Sequence, residues 1–140
     1  MTQEDKELIF KELCARLPYH VKCKIWLKDG TTEEGLLDLQ HNYGNVLQDA
    51  FYYNKIKDIK PYLFPLSSMT EEQLFEVQEI LGKNEIEIGD GFLSIIDSGR
   101  NTITYLEILA VLEWFYKNHF DINNLIPMEL AIDATGLNIY

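Results

Sequence analysis

The chain has 140 residues, the usual size of one domain, and 46% of them are hydrophobic and 25% charged, which excludes a largely disordered protein. The net charge of −11 is uneven: residues 1–65 carry −1, and residues 66–140 carry −10. The acidic half would repel nucleic acid and anionic membranes, so any nucleic-acid contact is expected in the N-terminal half alone.

No apolar run approaches the ~18–20 residues that a membrane helix needs. The polar, acidic start of the chain predicts no signal peptide. We therefore expect a cytoplasmic protein with no membrane contact. Its two cysteines, Cys14 and Cys23, are expected as small core residues rather than as a disulfide.

A first helix is predicted from Gln3 to Arg16. Thr2 can cap it, with Asp5 three residues later, and Pro18 ends it. Apolar residues recur at helical spacing and predict one buried face: Leu8, Ile9, Leu13 and Leu17.

Strand patterns follow the first helix. Between residues 21 and 28 apolar and polar side chains alternate, which predicts a strand with one buried and one solvated face. Asp29-Gly30 predicts a hairpin turn, because glycine readily adopts the positive φ of a tight turn. Further strands are predicted at about residues 33–40, 46–53 and 55–59, and Pro61 and Pro65 are expected to end the sheet.

The second half is predicted to be mainly helical. Thr70 and Gln73 form a capping-box pattern for a second helix that Gly82 can close, with Leu74, Val77 and Leu81 as its buried stripe. Residues 85–88 and 92–96 read as short strands. A third helix, at about residues 104–118, is apolar around most of its circumference, which predicts a central position. Residues 127–134 are expected to form a short helix, and residues 137–140 a last strand.

These elements predict an α+β fold in a single domain of residues 1–140. An N-terminal helix precedes a small bent antiparallel sheet or barrel that ends at about residue 65. The mainly helical segment of residues 66–140 packs on that sheet.

Residues 21–50 carry a spaced glycine pattern. Gly35 follows Gly30 by five residues, Leu37 follows Gly35 by two, and Asn45 follows Gly35 by ten. This pattern resembles the first motif of Sm-like proteins, and it departs from that motif at His41, where an acidic residue is usual. The family's second motif is absent from residues 55–66. The resemblance implies a bent barrel, a homo-oligomeric ring and RNA contacts at His41 and Asn45.

A second resemblance rests on three blocks, residues 13–19, 59–72 and 118–140. They are similar to a group of short proteins from the genomes, prophages and mobile elements of Bacteroides-type gut bacteria. The resemblance implies a phage or mobile-element context and no particular chemistry.

A basic and aromatic face is predicted on the first strand. Lys22, Lys24, Trp26 and Lys28 fall on its solvated side. Interleaved basic and aromatic side chains can bind nucleic acid through stacking, or a protein partner, since tryptophan often dominates interface energies. A helix packed over this face is the third alternative.

The sequence predicts no catalytic residue, no metal site and no cofactor. Asp90 and Asp97 flank a short strand, but aspartates beside glycine usually stabilise turns. The histidines His20, His41 and His119 lack the spacing of a metal site, and we expect ordinary capping or surface roles for them. A helix C-terminus stabilises a nearby histidine such as His119 when it is protonated.

The absence of a catalytic motif and the concentrated negative charge favour a non-enzymatic function. We expect a protein-interaction or accessory factor of phage or mobile-element origin, with a protein as its partner. The alternative is a nucleic-acid module that binds RNA through an Sm-like barrel face.

Overall fold

A computed structural model describes residues 2–37, 55–81, 85–89, 92–96 and 105–140, with the backbone alone for residues 85–89, 92–96 and 105. The helices are α1 (Gln3–Arg16), α2 (Glu71–Ile80) and α3 (Tyr105–Lys117). The strands are β1 (Lys22–Leu27), β2 (Thr32–Leu36), β3 (Ile56–Leu63), β4 (Glu85–Gly89), β5 (Phe92–Ile96) and β6 (Ile132–Asp133). The predicted third strand and the residues His41, Asn45, Gly82, Asp90 and Asp97 lie outside the described residues.

The predicted first helix is confirmed with its bounds. The Thr2 hydroxyl accepts a hydrogen bond from the Asp5 N–H at 3.1 Å, and the Asp5 carboxylate accepts one from the Thr2 N–H at 2.7 Å. This reciprocal capping box satisfies two backbone donors that a helix start leaves free. A 3₁₀ turn over Leu17–Tyr19 follows, with Pro18 at its start.

The described strands form an open four-stranded sheet in the order β2-β1-β3-β6, beside a separate β4–β5 hairpin. β1 pairs antiparallel with both β2 and β3, and Gly30 has a φ of 90° in the turn after β1. β6 pairs with β3 in the parallel sense. The predicted α+β class is confirmed. Of the predicted alternatives, sheet or barrel, the described strands form a sheet, and it is mixed rather than wholly antiparallel.

The prediction that Pro61 ends the sheet is wrong, because β3 continues to Leu63. Pro61 lies opposite Cys23 of β1, and the pairing with β6 begins only at Tyr62. Proline is tolerated in a strand where its nitrogen need not serve a neighbouring strand.

The predicted helix at residues 127–134 and the strand at residues 137–140 are also wrong. Successive turns occupy this segment, with the Leu130 N–H donating to the Leu125 carbonyl at 2.9 Å, and with Glu129 at a φ of 60°. The strand forms at Ile132–Asp133 instead, because Ile132 reaches Tyr62 at the sheet edge.

The core has two parts. The first lies between α1, the inner sheet face and the C-terminal segment, and comprises Ile9, Leu13, Val21, Cys23, Ile25, Leu37, Ile59, Leu63, Leu125, Leu130 and Ala131. The second joins α2 and α3, and comprises Leu66, Val77, Leu81, Val111, Phe115 and Phe120. These two clusters place α1 against the sheet face opposite to Trp26.

Two predictions about burial need correction. Cys23 is fully buried as expected, but Cys14 is exposed, and both are free thiols. The central position predicted for α3 is wrong: Val111 and Phe115 are buried, whereas the opposite side of the helix is exposed. No helix among the described residues is long and apolar enough to span a membrane.

Candidate functional site

The outer sheet face is the side of the sheet that points away from α1. Strand alternation and pairing define it: Lys24 lies between Glu34 of β2 and Lys60 of β3, and Trp26 lies between Thr32 and Asp58. The face comprises Lys22, Lys24, Trp26, Thr32, Glu34, Leu36, Asp58, Lys60 and Tyr62. The predicted alternation of β1 therefore holds, with Cys23 and Ile25 buried on the inner face.

Trp26 is half-buried on this face, next to the cross-strand pair of Lys24 and Lys60, and both ammonium groups lie over its ring. The Lys24 Nζ is 5.4 Å from the centre of the indole ring, and the Lys60 Nζ is 5.7 Å from it. Both distances are within the range of a cation–π contact. The indole holds two positive charges close together, although like charges directly opposite on neighbouring strands repel each other.

A polar network borders the outer sheet face at the other end of β1. The Tyr62 hydroxyl donates to Glu34 at 2.6 Å, and the Lys22 ammonium lies 3.4 Å from the same carboxylate. These contacts lower the pKa of Glu34, mainly through the hydrogen bond from Tyr62. Burial and the neighbouring Glu34 raise the pKa of Tyr62 to about 12. Lys22 is thus paired with Glu34, and the charge of Lys24, which lies on β1 opposite Glu34, also lowers the pKa of that carboxyl.

The structure brings three of the four predicted face residues together, namely Lys22, Lys24 and Trp26. Lys28 is exposed in the turn after β1, beyond a register shift at Trp26 and Leu27. Sequence analysis missed Lys60. No local sequence pattern indicates that Lys60 lies beside Trp26. Its position depends on the pairing of β3 with β1.

A second candidate surface is the α3 apolar face, formed by Leu106, Ile108, Leu109 and Leu112. Their side chains are 76%, 42%, 45% and 38% exposed. Leu106, Leu109 and Leu112 follow one another at three-residue spacing on the side of α3 away from Val111 and Phe115, and Ile108 lies at the border with that buried side. The four residues span roughly 9 Å of helix length at 1.5 Å per residue. Contiguous exposed aliphatic side chains on a folded surface often mark an interaction site.

His119 lies under the ring of Tyr140, with ring centres 3.7 Å apart and planes at 9°. The Tyr140 hydroxyl donates to the Tyr62 carbonyl at 2.8 Å and accepts from the Lys22 N–H at 2.9 Å. It therefore bridges β1 and β3 just where their ladder ends. Burial, the Arg16 charge and His20 lower the pKa of His119 to about 4, so these effects outweigh the stabilisation that a helix C-terminus gives to a protonated histidine.

A buried polar cluster ties α1 to the segment after α3. Arg16 is fully buried, donates to Glu12 at 2.7 Å and to the Phe120 carbonyl at 2.6 Å, and lies over the Tyr116 ring. Both carboxylate oxygens of the buried Asp121 accept backbone N–H groups, those of Leu125 and Ile126.

These contacts give the cluster a structural role. Across the part of the chain that the structure describes, no group of three or more His, Cys, Asp or Glu side chains is arranged to hold a metal ion.

Comparisons with known proteins add no relative. No protein-family model matches the sequence, no curated protein matches it, and no solved structure matches the chain.

Proposed function

We propose that the chain is a non-enzymatic protein-interaction module that docks a partner protein on the α3 apolar face. The exposure of Leu106, Leu109 and Leu112 along one side of α3, with Ile108 at the border of that side, carries this proposal. Single exposed leucines are ordinary on protein surfaces, but a continuous group of them leaves apolar area in water that a partner would bury.

Charge around the α3 apolar face indicates the chemistry of the partner. Helix α3 itself carries two glutamates and one lysine, Glu107, Glu113 and Lys117, whereas α2, with four further glutamates, packs on the opposite, buried side of α3. Glu113 is exposed and follows Leu109 by one helical turn. A partner with an apolar centre and a basic rim would complement this surface, because opposite potentials speed association and exclude wrong partners.

The biological context comes from the sequence resemblance. Similarity to short proteins of Bacteroides-type bacteria, their prophages and mobile elements supports an accessory role for such an element, acting in the cytoplasm. A small acidic module without a catalytic motif suits that role, since its effect would come from occupying a partner's surface.

Affinity capture from a lysate of the native host tests this function. The variant combines Leu106→Glu with Leu109→Glu, two exposed positions where charge should leave the fold intact. The matched control is Phe10→Glu, because Phe10 is an exposed apolar side chain on α1. We expect partners that wild type and the control retain to be lost by the variant, with affinity falling about 30-fold or more, as for an interface hot spot.

Equal capture by all three proteins, or capture of nothing above background, would contradict the proposal. Light scattering adds a further criterion. If wild type is a dimer and the α3 variant a monomer, the face binds a second copy, and the proposal of a different protein partner fails.

A further inference from the structure

The outer sheet face carries a second function that is independent of α3. We infer that it binds single-stranded nucleic acid, with a base stacked on Trp26 and phosphates held by Lys24 and Lys60. This surface lies in the nearly neutral half of the chain, on the side of the sheet away from α1.

The first argument is the placement of charge. Lys24 and Lys60 are direct cross-strand neighbours. Within the described part of the chain, Lys22 forms a close ion pair with Glu34, whereas Lys24 lies opposite the same carboxylate without a close ion pair and Lys60 forms none. Two like charges so close repel each other, and an anion between them would relieve that repulsion. A phosphate group is such an anion.

The second argument is the indole. Trp26 is half-buried, so its position is set by the sheet, yet part of its ring remains open to solvent. Stacking on an aromatic side chain strengthens binding about 5- to 150-fold per base and tolerates any base. The ammonium groups of Lys24 and Lys60 lie over the indole ring, so a base that stacks on the ring would take their place while the two flexible side chains turn to its phosphates.

The shape of the site favours nucleic acid over an acidic peptide as its ligand, and single-stranded over double-stranded nucleic acid. Carboxylates of an acidic peptide could meet the two lysines, but they would leave the indole without a stacking partner. A duplex keeps its bases inside, where the indole cannot stack on them, and the net charge of −11 on the chain repels a long polyanion more strongly than a short one. A short single-stranded segment of nucleic acid offers both a base that can stack on the indole and phosphates that can bind the two lysines.

Fluorescence anisotropy of a labelled 12-nucleotide oligouridylate, titrated with the full chain at low salt, tests the inference. Two phosphate contacts predict a slope of about −1.4 for the logarithm of the binding constant against the logarithm of salt concentration. We expect Trp26→Phe to weaken binding about fivefold or more, and the pair Lys24→Gln with Lys60→Gln to abolish the salt dependence. Circular dichroism verifies that the variants are folded.

The matched control combines Lys6→Gln with Lys11→Gln, which removes the same charge from exposed positions on α1. It should bind like wild type, as should the α3 variant with Leu106→Glu and Leu109→Glu. Absence of binding at low salt would overturn the inference. An equal loss in the α1 control would also overturn it, as would competition by polyglutamate as effective as that by unlabelled oligouridylate.

Discussion

The imidazole of His119 is the residue whose protonation the fold opposes most clearly. It lies against the Tyr140 ring, its Nδ1 is buried with no hydrogen-bond partner among the described residues, and the Arg16 charge is close. Proximity to a helix end favours a protonated histidine, but here burial and a nearby cation outweigh that effect. The neutral ring is part of the packing that holds Tyr140 against the sheet.

Stability should therefore fall as the pH is lowered. In the unfolded chain a histidine has a pKa of about 6.5, whereas the folded pKa of His119 is about 4. Between these values the unfolded state binds the extra proton, so stability present above pH 6.5 is lost on the way to pH 4. We expect His119 to account for about 1–2 kcal/mol of this loss, reduced because its ring is partly exposed.

Urea denaturation at pH 7 and pH 4.5 measures this loss. In the variant His119→Asn the difference in the free energy of unfolding between the two pH values should become smaller. Asparagine tolerates the φ of 62° at this position. The control His20→Asn has a similar backbone, with a φ of 54°, and should keep the pH-dependent loss. An identical pH dependence in wild type and the His119 variant would contradict the prediction.

At the scale of elements, helix starts follow local rules closely. The Thr70 hydroxyl accepts from the Gln73 N–H at 3.2 Å, and the Gln73 side chain accepts from the Thr70 N–H at 3.0 Å. Both partners lie within one turn at the start of α2, so four consecutive residues of sequence are enough to predict this cap. The capping box at Thr2 and Asp5 of α1 works in the same way.

Removing the α2 cap should have a measurable cost. We expect Thr70→Ala to lower the free energy of unfolding by about 1 kcal/mol, because the Gln73 N–H loses its acceptor. Thr70→Ser keeps the hydroxyl and should stay close to wild type. Urea midpoints measure the difference. A midpoint for the alanine variant equal to that of the serine variant would refute the role of the cap.

Strands follow local rules only in part. The alternation of β1 predicted that Lys22, Lys24 and Trp26 share a face. The approach of Lys60 to Trp26 depends on the register between β1 and β3, strands that lie about thirty residues apart. Register is set by pairing and burial across the sheet, and no local propensity contains it. The same reason explains why β6 was missed.

At the scale of the whole molecule, Arg16 connects parts of the chain that are far apart in sequence. It is fully buried between α1 and the segment after α3, where it contacts Glu12 and the Phe120 carbonyl. Asn123 donates to the other oxygen of Glu12. A buried charge pair stabilises little by itself, but removing one partner leaves the other uncompensated.

We therefore expect Arg16→Met to destabilise the fold by about 3–5 kcal/mol, because it leaves the Glu12 carboxylate buried without its positive partner. Adding Glu12→Leu should recover part of that loss, because no unpaired charge then remains. Lys11→Met, at an exposed position of the same helix, should change stability by less than about 0.5 kcal/mol. Chemical denaturation compares the four proteins. If the double variant were no more stable than Arg16→Met alone, the loss of stability could not be due to the unpaired Glu12 carboxylate.

The sequence by itself determined the α+β class, the bounds of α1, both capping boxes and the alternating faces of β1. These features depend on contacts between residues that are close in sequence, so composition and residue spacing are enough to predict them. Tertiary structure alone decided the parallel pairing of β6, the place of Tyr140, the approach of Lys60 to Trp26 and the exposure of the α3 apolar face. Each of these depends on which distant segments meet, and an apolar helix side is buried only where another element reaches it.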